Sequence, residues 1–237
     1  MMFFFRVLGF WLCMIGSASA TELQARWEQA VEWVETGRVW GPGRVETHVR
    51  EVNKHGEQLS IEFLQVTRKR GADGRSQTKL VRASRDGEDV TASRREKIDR
   101  IQTRVQEEAA RADKDKKGNP FAAVTQPGLV LEDLKQAKTV DGVMCMKVGF
   151  TYAQKNKKTF TGTAWIATEN GKPIRATVEL LDRPWMAKSV VTELTYGDVA
   201  GGSWGVTLMK LKAHGGMMGM MRYIETAMTL SEHWSWD

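Results

Sequence analysis

The sequence predicts an α+β protein in which a strongly curved antiparallel sheet wraps around an amphipathic helix. Six consecutive segments in the second half of the chain alternate apolar and polar residues, and one segment near the N-terminus repeats apolar residues at helical spacing. Three further alternating segments lie between these two regions. A sheet with one continuous apolar face must cover that face, and a helix laid against it buries both apolar surfaces.

The N-terminal helix is predicted to begin within residues 21–24. Its apolar residues recur on one helical face: Leu23, Trp27, Ala30, Val31 and Val34. The Gly41-Pro42-Gly43 sequence is expected to end the helix, because glycine and proline both disfavour its continuation. This helix is the expected filling of the curved sheet.

Three short strands are predicted after the helix. Their alternating positions are Val45, Thr47 and Val49, then Leu59, Ile61 and Phe63, then Lys79, Val81 and Ala83. Residues 91–117 are dense in charge with a thin apolar stripe, which predicts a solvent-facing helical insertion. Asn119-Pro120 should stop that helix, and residues 121–130 are expected to form a loop.

The second half is predicted to consist of six strands. In the first of them Met144, Met146, Val148, Phe150 and Tyr152 share one face. The others fall near residues 160–167, 173–181, 188–196, 204–211 and 220–234. Asn170-Gly171 is a hairpin signal, because both residues accept positive φ.

Residues 1–20 have the anatomy of a secretory signal peptide. Arg6 provides a basic start, residues 7–15 an apolar run too short to span a bilayer, and Ala18-Ser19-Ala20 a cleavage site after Ala20. A lipoprotein would need a small residue before Cys13, where Leu12 stands. Cleavage leaves Cys145 as the one cysteine, so no intramolecular disulfide is expected and Cys145 is interpreted as a buried thiol. The chain is therefore expected to be exported, with no transmembrane segment after cleavage.

The composition and motifs favour a binding protein over an enzyme. The 35 basic and 29 acidic residues are too evenly mixed to indicate nucleic-acid binding. The histidines stand in no hydrolase or zinc motif, and no glycine-rich loop for phosphate is present, so neither catalysis nor a cofactor is expected.

A methionine-rich segment near the C-terminus suggests one alternative chemistry. His214, Met217, Met218, Met220 and Met221 offer the thioether and imidazole ligands that select Cu(I). Methionine also fills irregular apolar cavities, and successive residues of a strand point to opposite faces. Lining of a core or cavity is therefore the favoured interpretation of these residues.

Several segments resemble exported LolA-like proteins, the superfamily of bacterial lipoprotein-sorting carriers. They are Thr161-Gly162-Thr163-Ala164-Trp165-Ile166-Ala167, Gly171-Lys172-Pro173-Ile174, Met186-Ala187-Lys188, Thr195-Tyr196 and residues 216–222. The resemblance implies an unclosed β-barrel of about eleven strands around helices, forming one periplasmic domain over residues 21–237. It also implies an apolar cavity for acyl chains, but no ligand-contacting motif of the carriers is matched, and the charged insertion departs from their compact form.

The expected function is non-enzymatic binding of a lipid, an acyl chain or a lipoprotein segment. An envelope protein is the candidate delivery partner. The residues expected to line the cavity are Phe63, Met146, Val148, Phe150, Ile166, Val178 and Leu194, if the more apolar side of each strand points inward. Two alternatives remain open: a Cu(I)-handling protein that uses the methionine-rich segment, and a structural or scaffolding envelope protein.

Overall fold

The fold is a curved antiparallel sheet with one long helix against its inner face. The computed structural model describes residues 4–70, 76–96, 119–153, 158–183, 186–217 and 220–235. The helix α1 spans Phe4–Thr36. The strands are β1 (Trp40–Gly41), β2 (Arg44–Asn53), β3 (Gln58–Arg70), β4 (Ser76–Arg85), β5 (Glu88–Asp89), β6 (Val130–Val140), β7 (Val143–Ala153), β8 (Thr159–Ala167), β9 (Pro173–Leu180), β10 (Ala187–Ala200), β11 (Ser203–Met217), β12 (Met220–Ser231) and β13 (Trp234–Ser235).

Eleven of the strands form one sheet in the order β5-β4-β3-β2-β12-β11-β10-β9-β8-β7-β6. Every pairing is antiparallel, and the contact between β12 and β2 joins the C-terminal strands to the N-terminal ones. The two ends of the sheet, β5 and β6, do not pair with each other, so the barrel is unclosed. The predicted fold class is confirmed, including the six strands of the second half.

The helix differs from its predicted bounds at both ends. It runs without a break through residues 20 and 21, so the uncleaved chain has no helix start at residues 21–24. It ends at Thr36 rather than at residues 41–43, because a 3-10 turn over Gly37–Val39 follows. A Cβ at Gly37 would overlap the carbonyl oxygen of Trp204, so close packing against β11 fixes this end. In the part of the chain that the structure describes, no helix is both long and apolar enough to cross a membrane.

Strand β6 was not predicted, since residues 121–130 were expected to be a loop and the next strand to begin after residue 141. Most of its residues are polar or exposed, as suits a strand at the edge of a sheet. Its register shifts between Asp133 and Gln136, and Lys135 has a φ of 52°. This irregularity removes the two-residue period by which the sequence could have revealed the strand.

The inner face of β3 is also different from the prediction. Leu59 and Ile61 are 46% and 41% exposed, whereas Ser60 is buried and Leu64 is half-buried. The reason is the register with β2, in which Val45, a buried residue, pairs with Val66. Residues one position apart in a strand point to opposite faces, so this pairing turns Leu59, Ile61 and Phe63 outward.

Two predicted regions are described in part. Residues 91–96 are helical, as expected for the start of the charged insertion, and residues 97–117 lie outside the described part of the chain. Within the predicted loop, a 3-10 turn at Ala123–Thr125 follows Phe121, which is fully buried. That segment therefore contributes to the core.

The main core lies between α1 and the strands β7 to β10. Trp27 is 1% exposed and its ring centroid lies 4.6 Å from that of Phe121 and 5.6 Å from that of Phe150. Its indole nitrogen donates a hydrogen bond of 2.9 Å to Gln126. The helix thus fills this part of the curved sheet, as the sequence predicted.

Candidate functional site

The inner face continues well beyond the core. In an antiparallel sheet, directly paired residues share a face. One such row starts at Leu194 in the core beneath α1 and crosses five further strands. Its members, in sheet order, are Leu194, Met209, Met228, Thr47, Leu64 and Ala83. The core face and the face of the N-terminal strands are therefore one surface.

Two more rows run parallel to this one. The first links Val178, Thr192, Leu211, Thr226 and Val49. The second links Leu230, Val45, Val66 and Leu80. Both rows are apolar except for threonines, whose methyl groups are also apolar.

The α1 side chains that the structure describes, from residue 20 onward, pack on one part of this surface. The core cluster that includes Leu23, Trp27 and Ala30 draws its strand residues from β6 to β11 and none from β2, β3, β4 or β12. We call the remainder the distal inner face. It comprises Val45, Thr47, Val49, Leu64, Val66, Leu80, Ala83, Leu211, Ala213, Thr226, Met228 and Leu230; Val45, Leu80 and Ala83 are buried and the others half-buried.

One end of the distal inner face is lined by ion pairs. Glu62 lies against Arg94 and, at 3.8 Å, against Arg85. Glu51 pairs with Arg222 from β12. Each acidic group at this end thus has an arginine partner, which keeps the charges neutralised beside the apolar surface.

The opposite end of the face contains Arg68, which is half-buried. It pairs with Thr78 in the β3–β4 register and follows Val66 on the same face. Burial lowers the pKa of its guanidinium, and no carboxylate contacts that group in the described part of the chain. The two ends of the distal inner face therefore differ in how their positive charges are balanced.

A depression of about 760 Å³ lies against β3 and β4 and has Leu80 in common with the distal inner face. Its lining includes Thr67, Lys69, Gln77, Lys79 and Arg95. Thr67 and Lys79 pair with each other on the outer face, one residue out of step with the Val66 and Leu80 pair. The lining also includes Thr78, Leu80 and Val81, so the depression combines three basic side chains with apolar ones. None of the residues expected from the sequence to line the cavity is among them.

The residues predicted to line the cavity fall into two places. Val148, Phe150, Ile166, Val178 and Leu194 are buried in the core beneath α1, and Met146 packs at the edge of that core. Phe63 lies on the outer face, where its ring contacts that of His48 at a centroid distance of 4.9 Å and an interplanar angle of 54°. The structure therefore brings six of the seven together, around the protein's own helix, and their binding role remains a prediction.

Sequence reasoning missed the distal inner face. In β3, Leu64 lies on the opposite face from Leu59, Ile61 and Phe63. Because that set is the more apolar one in the sequence, the face of Leu64 was not predicted to point inward. The signal that could have found it is the polarity switch in β3, where Leu64 and Val66 continue the apolar pattern one residue out of step. Only the pairing with Val45 decides between the two faces.

Two phenols are buried in the core beneath α1. Burial raises the pKa of Tyr152 to about 12. Burial also raises the pKa of Tyr196, and the nearby Tyr152 phenol raises it further. The Tyr196 hydroxyl donates a hydrogen bond of 2.9 Å to Asn119. The Tyr152 hydroxyl has no hydrogen-bond partner among the described residues.

The methionine-rich segment is divided by the strand geometry. His214 pairs with Tyr223 and stacks on its ring at 4.0 Å, on the outer face that Met221 shares by alternation. Met217 and Met220 pair with each other at the end of the β11–β12 ladder, and Met218 lies outside the described residues. Within the described ranges, no three His, Cys, Asp or Glu residues lie close enough to hold a metal ion. Cys145 is buried, and burial raises the pKa of its thiol.

No protein-family model matches the chain, and no curated protein matches it. Solved structures do align with most of its length. A LolA superfamily protein from Nitrosomonas europaea is 12% identical, with 89% of this chain and 94% of that chain covered and a TM-score of 0.35. A DUF1329 family protein from Desulfovibrio piger is 11% identical, with 90% and 92% covered and a TM-score of 0.37.

A third structure is a domain from Vibrio parahaemolyticus described as an outer membrane lipoprotein-sorting protein. It is 15% identical, with 91% of this chain and 90% of that chain covered and a TM-score of 0.36. The strand order and register of this chain define its fold independently of these alignments.

Proposed function

We propose that this chain is an exported, non-enzymatic binding protein that holds a lipid, an acyl chain or a lipoprotein segment on the distal inner face. The observation that carries the proposal is the continuation of one apolar surface from the core across β11, β12, β2, β3 and β4, beyond the cluster formed with α1. Apolar surface of this extent on an inner concave face is typical of a ligand site.

The energetics of such binding need no specific polar contact. Each methylene group removed from water contributes about 0.8 kcal/mol, so a chain of ten buried methylenes would gain roughly 8 kcal/mol before the entropy cost of association. Threonine methyls and the flexible side chain of Met228 would let the surface adapt to chains of different shape.

The first experiment is native mass spectrometry of the protein purified from the periplasm without detergent, followed by solvent extraction. A reproducible added mass of lipid size supports the proposal and identifies the ligand. A copper-sized addition that disappears when Met217, Met218, Met220 and Met221 are replaced by leucine would favour the Cu(I) alternative. An apo mass with no extractable ligand would favour the scaffolding alternative.

A matched pair of substitutions in β11 tests where the ligand lies. Leu211→Lys places a charge on the distal inner face, whereas Leu208→Lys places it on the outer face of the same strand, where Leu208 pairs with Thr195. Both side chains are half-buried. We expect Leu211→Lys to weaken binding of a fluorescent acyl probe by at least about tenfold, since the bound probe would remove the lysine ammonium from water.

The control variant Leu208→Lys should retain affinity within about twofold, because its side chain does not reach the inner face. Circular dichroism and thermal unfolding establish that both variants are folded. Equal affinities of the two variants for the probe would contradict the placement of the ligand on the distal inner face.

A further inference from the structure

We propose that the Arg68 guanidinium binds the phosphate group of a two-chain anionic phospholipid whose acyl chains lie on the distal inner face. This inference rests on the proposed lipid-binding function and narrows it to one class of ligand.

The position of Arg68 places it at the border of the apolar surface. On β3 it follows Leu64 and Val66 with the two-residue period that keeps all three on one face. Its partner Thr78 stands two residues before Leu80, which is 2% exposed. A ligand whose apolar part covers the half-buried Leu64 and Val66 would therefore bring its polar end to Arg68.

Arg68 differs from the other arginines beside this face because no carboxylate contacts it in the described part of the chain. Arg85, Arg94 and Arg222 each contact a glutamate. Arg68 has no such contact in the described part of the chain, and burial lowers the pKa of its guanidinium. A partly desolvated cation without a counter-charge is unfavourable, and it gains most from an anion supplied by a ligand. The planar guanidinium matches phosphate oxygens with two parallel hydrogen bonds.

The surroundings favour an anionic ligand with more than one chain. Lys69 and Lys79 are exposed on the outer face of the same two strands, and they add positive potential around the site. The distal inner face extends over five strands, which at about 4.8 Å between neighbours corresponds to roughly 19 Å. This width exceeds what one extended acyl chain would cover.

The test compares phosphatidylglycerol, diacylglycerol with the same chains, and inorganic phosphate, each titrated against the delipidated protein. Arg68→Gln is the test variant. Arg82→Gln is its control, because it removes the same charge from the outer face of the same hairpin, where Arg82 is exposed and pairs with Gln65. We expect Arg68→Gln to weaken phosphatidylglycerol binding about tenfold, the range for a lost charge-assisted hydrogen bond, with diacylglycerol unchanged within twofold. Arg82→Gln should change neither affinity by more than about twofold.

Three results would overturn the inference. They are an equal loss in both variants, an equal loss for both lipids, or Arg68-dependent binding of inorganic phosphate without preference for phosphatidylglycerol. The inference and the function on which it rests fail differently. Wild-type protein that binds neither lipid contradicts the proposed function, whereas protein that binds both lipids equally contradicts only the role of Arg68. Thermal unfolding provides the folding control, since loss of an unpaired, partly desolvated charge should leave Arg68→Gln at least as stable as the wild type.

Discussion

The helix-covered part of the inner face and the distal inner face belong to one sheet but differ in what fills them. Beneath α1, Trp27 and Phe121 occupy the concave side of β7 to β10, and the facing residues Val148, Ala164 and Ile166 have no exposed surface. On the distal inner face most apolar side chains are half-buried instead. The same alternating pattern thus produces a solid core beneath Trp27 and Phe121, and a mostly half-buried apolar surface beyond the cluster that the described helix residues form.

The largest expected effect comes from removing the filling of the covered part. Trp27→Ala should lower the free energy of unfolding by about 3–5 kcal/mol, because it leaves a cavity beside Phe121 and Phe150 and removes the donor to the Gln126 side-chain oxygen. Met228→Ala on the distal inner face should cost roughly 1 kcal/mol in the delipidated protein, since that side chain is only half-buried. Urea unfolding of both variants measures the difference.

Bound lipid should change the stability costs of Trp27→Ala and Met228→Ala differently. A ligand bound only by the folded state adds to stability, so saturating lipid should increase the cost of Met228→Ala if the substitution also weakens binding. It should leave the cost of Trp27→Ala unchanged if the lipid lies only on the distal inner face. A lipid-dependent cost at Trp27, with none at Met228, would place the ligand beneath the helix.

Close packing between β8 and β9 offers a second comparison, within the covered part. A Cβ at Gly162 would overlap the carbonyl oxygen of Thr177 and lie 2.7 Å from Phe150, so Gly162→Ala should cost about 1–3 kcal/mol. At Gly149, on the outer face of β7, the nearest atom would be the Glu132 Cβ at 3.3 Å, and Gly149→Ala should cost less than about 1 kcal/mol. Thermal unfolding of the two variants tests whether the inner face is the tighter one.

The covered part was largely predictable from the sequence, and the distal part was not. The helical spacing of Leu23, Trp27 and Ala30 and the alternation through Val148 and Phe150 each point to one buried face without help from distant residues. In β3, by contrast, apolar residues stand on both faces, and the choice between Leu64 and Phe63 depends on pairing with Val45. Register with a strand far away in the sequence is a tertiary property, which local alternation does not determine.

The absence of a carboxylate contact at Arg68 among the described residues could not be predicted from the sequence either. In the sequence this arginine is one of three consecutive basic residues, Arg68-Lys69-Arg70, near a hairpin end, for which solvation is the ordinary interpretation. Alternation separates Arg68 from Lys69, and only the burial of Val66 and Leu80 identifies which face is the inner one. Whether Arg68 belongs to the basic outer surface or to the inner face is therefore decided by its pairing with the neighbouring strand.

Substitution of the buried phenols should have the smallest effect on the free energy of unfolding. The two phenols differ in that the Tyr196 hydroxyl has a hydrogen-bond partner and the Tyr152 hydroxyl has none among the described residues. At neutral pH, Tyr196→Phe should cost about 1 kcal/mol because it removes the hydrogen bond to Asn119, whereas Tyr152→Phe should cost close to nothing, since its hydroxyl has no partner among the described residues. Above pH 10 both Phe variants gain stability relative to the wild type. A phenol whose pKa is raised on folding keeps its full stabilising contribution below the unfolded pKa of about 10 and loses it as the pH rises through the folded value. For Tyr152 that value is about 12.

Between pH 10 and 12 the wild type should therefore lose stability with an extra slope of about 1.4 kcal/mol per pH unit for each phenol, and each Phe variant should lack one such contribution. Urea unfolding at pH 7, 10 and 11.5 provides the comparison. If Tyr152→Phe followed the wild-type pH dependence, the Tyr152 phenol would ionise equally readily in both states, and the covered part would be open to water at that position.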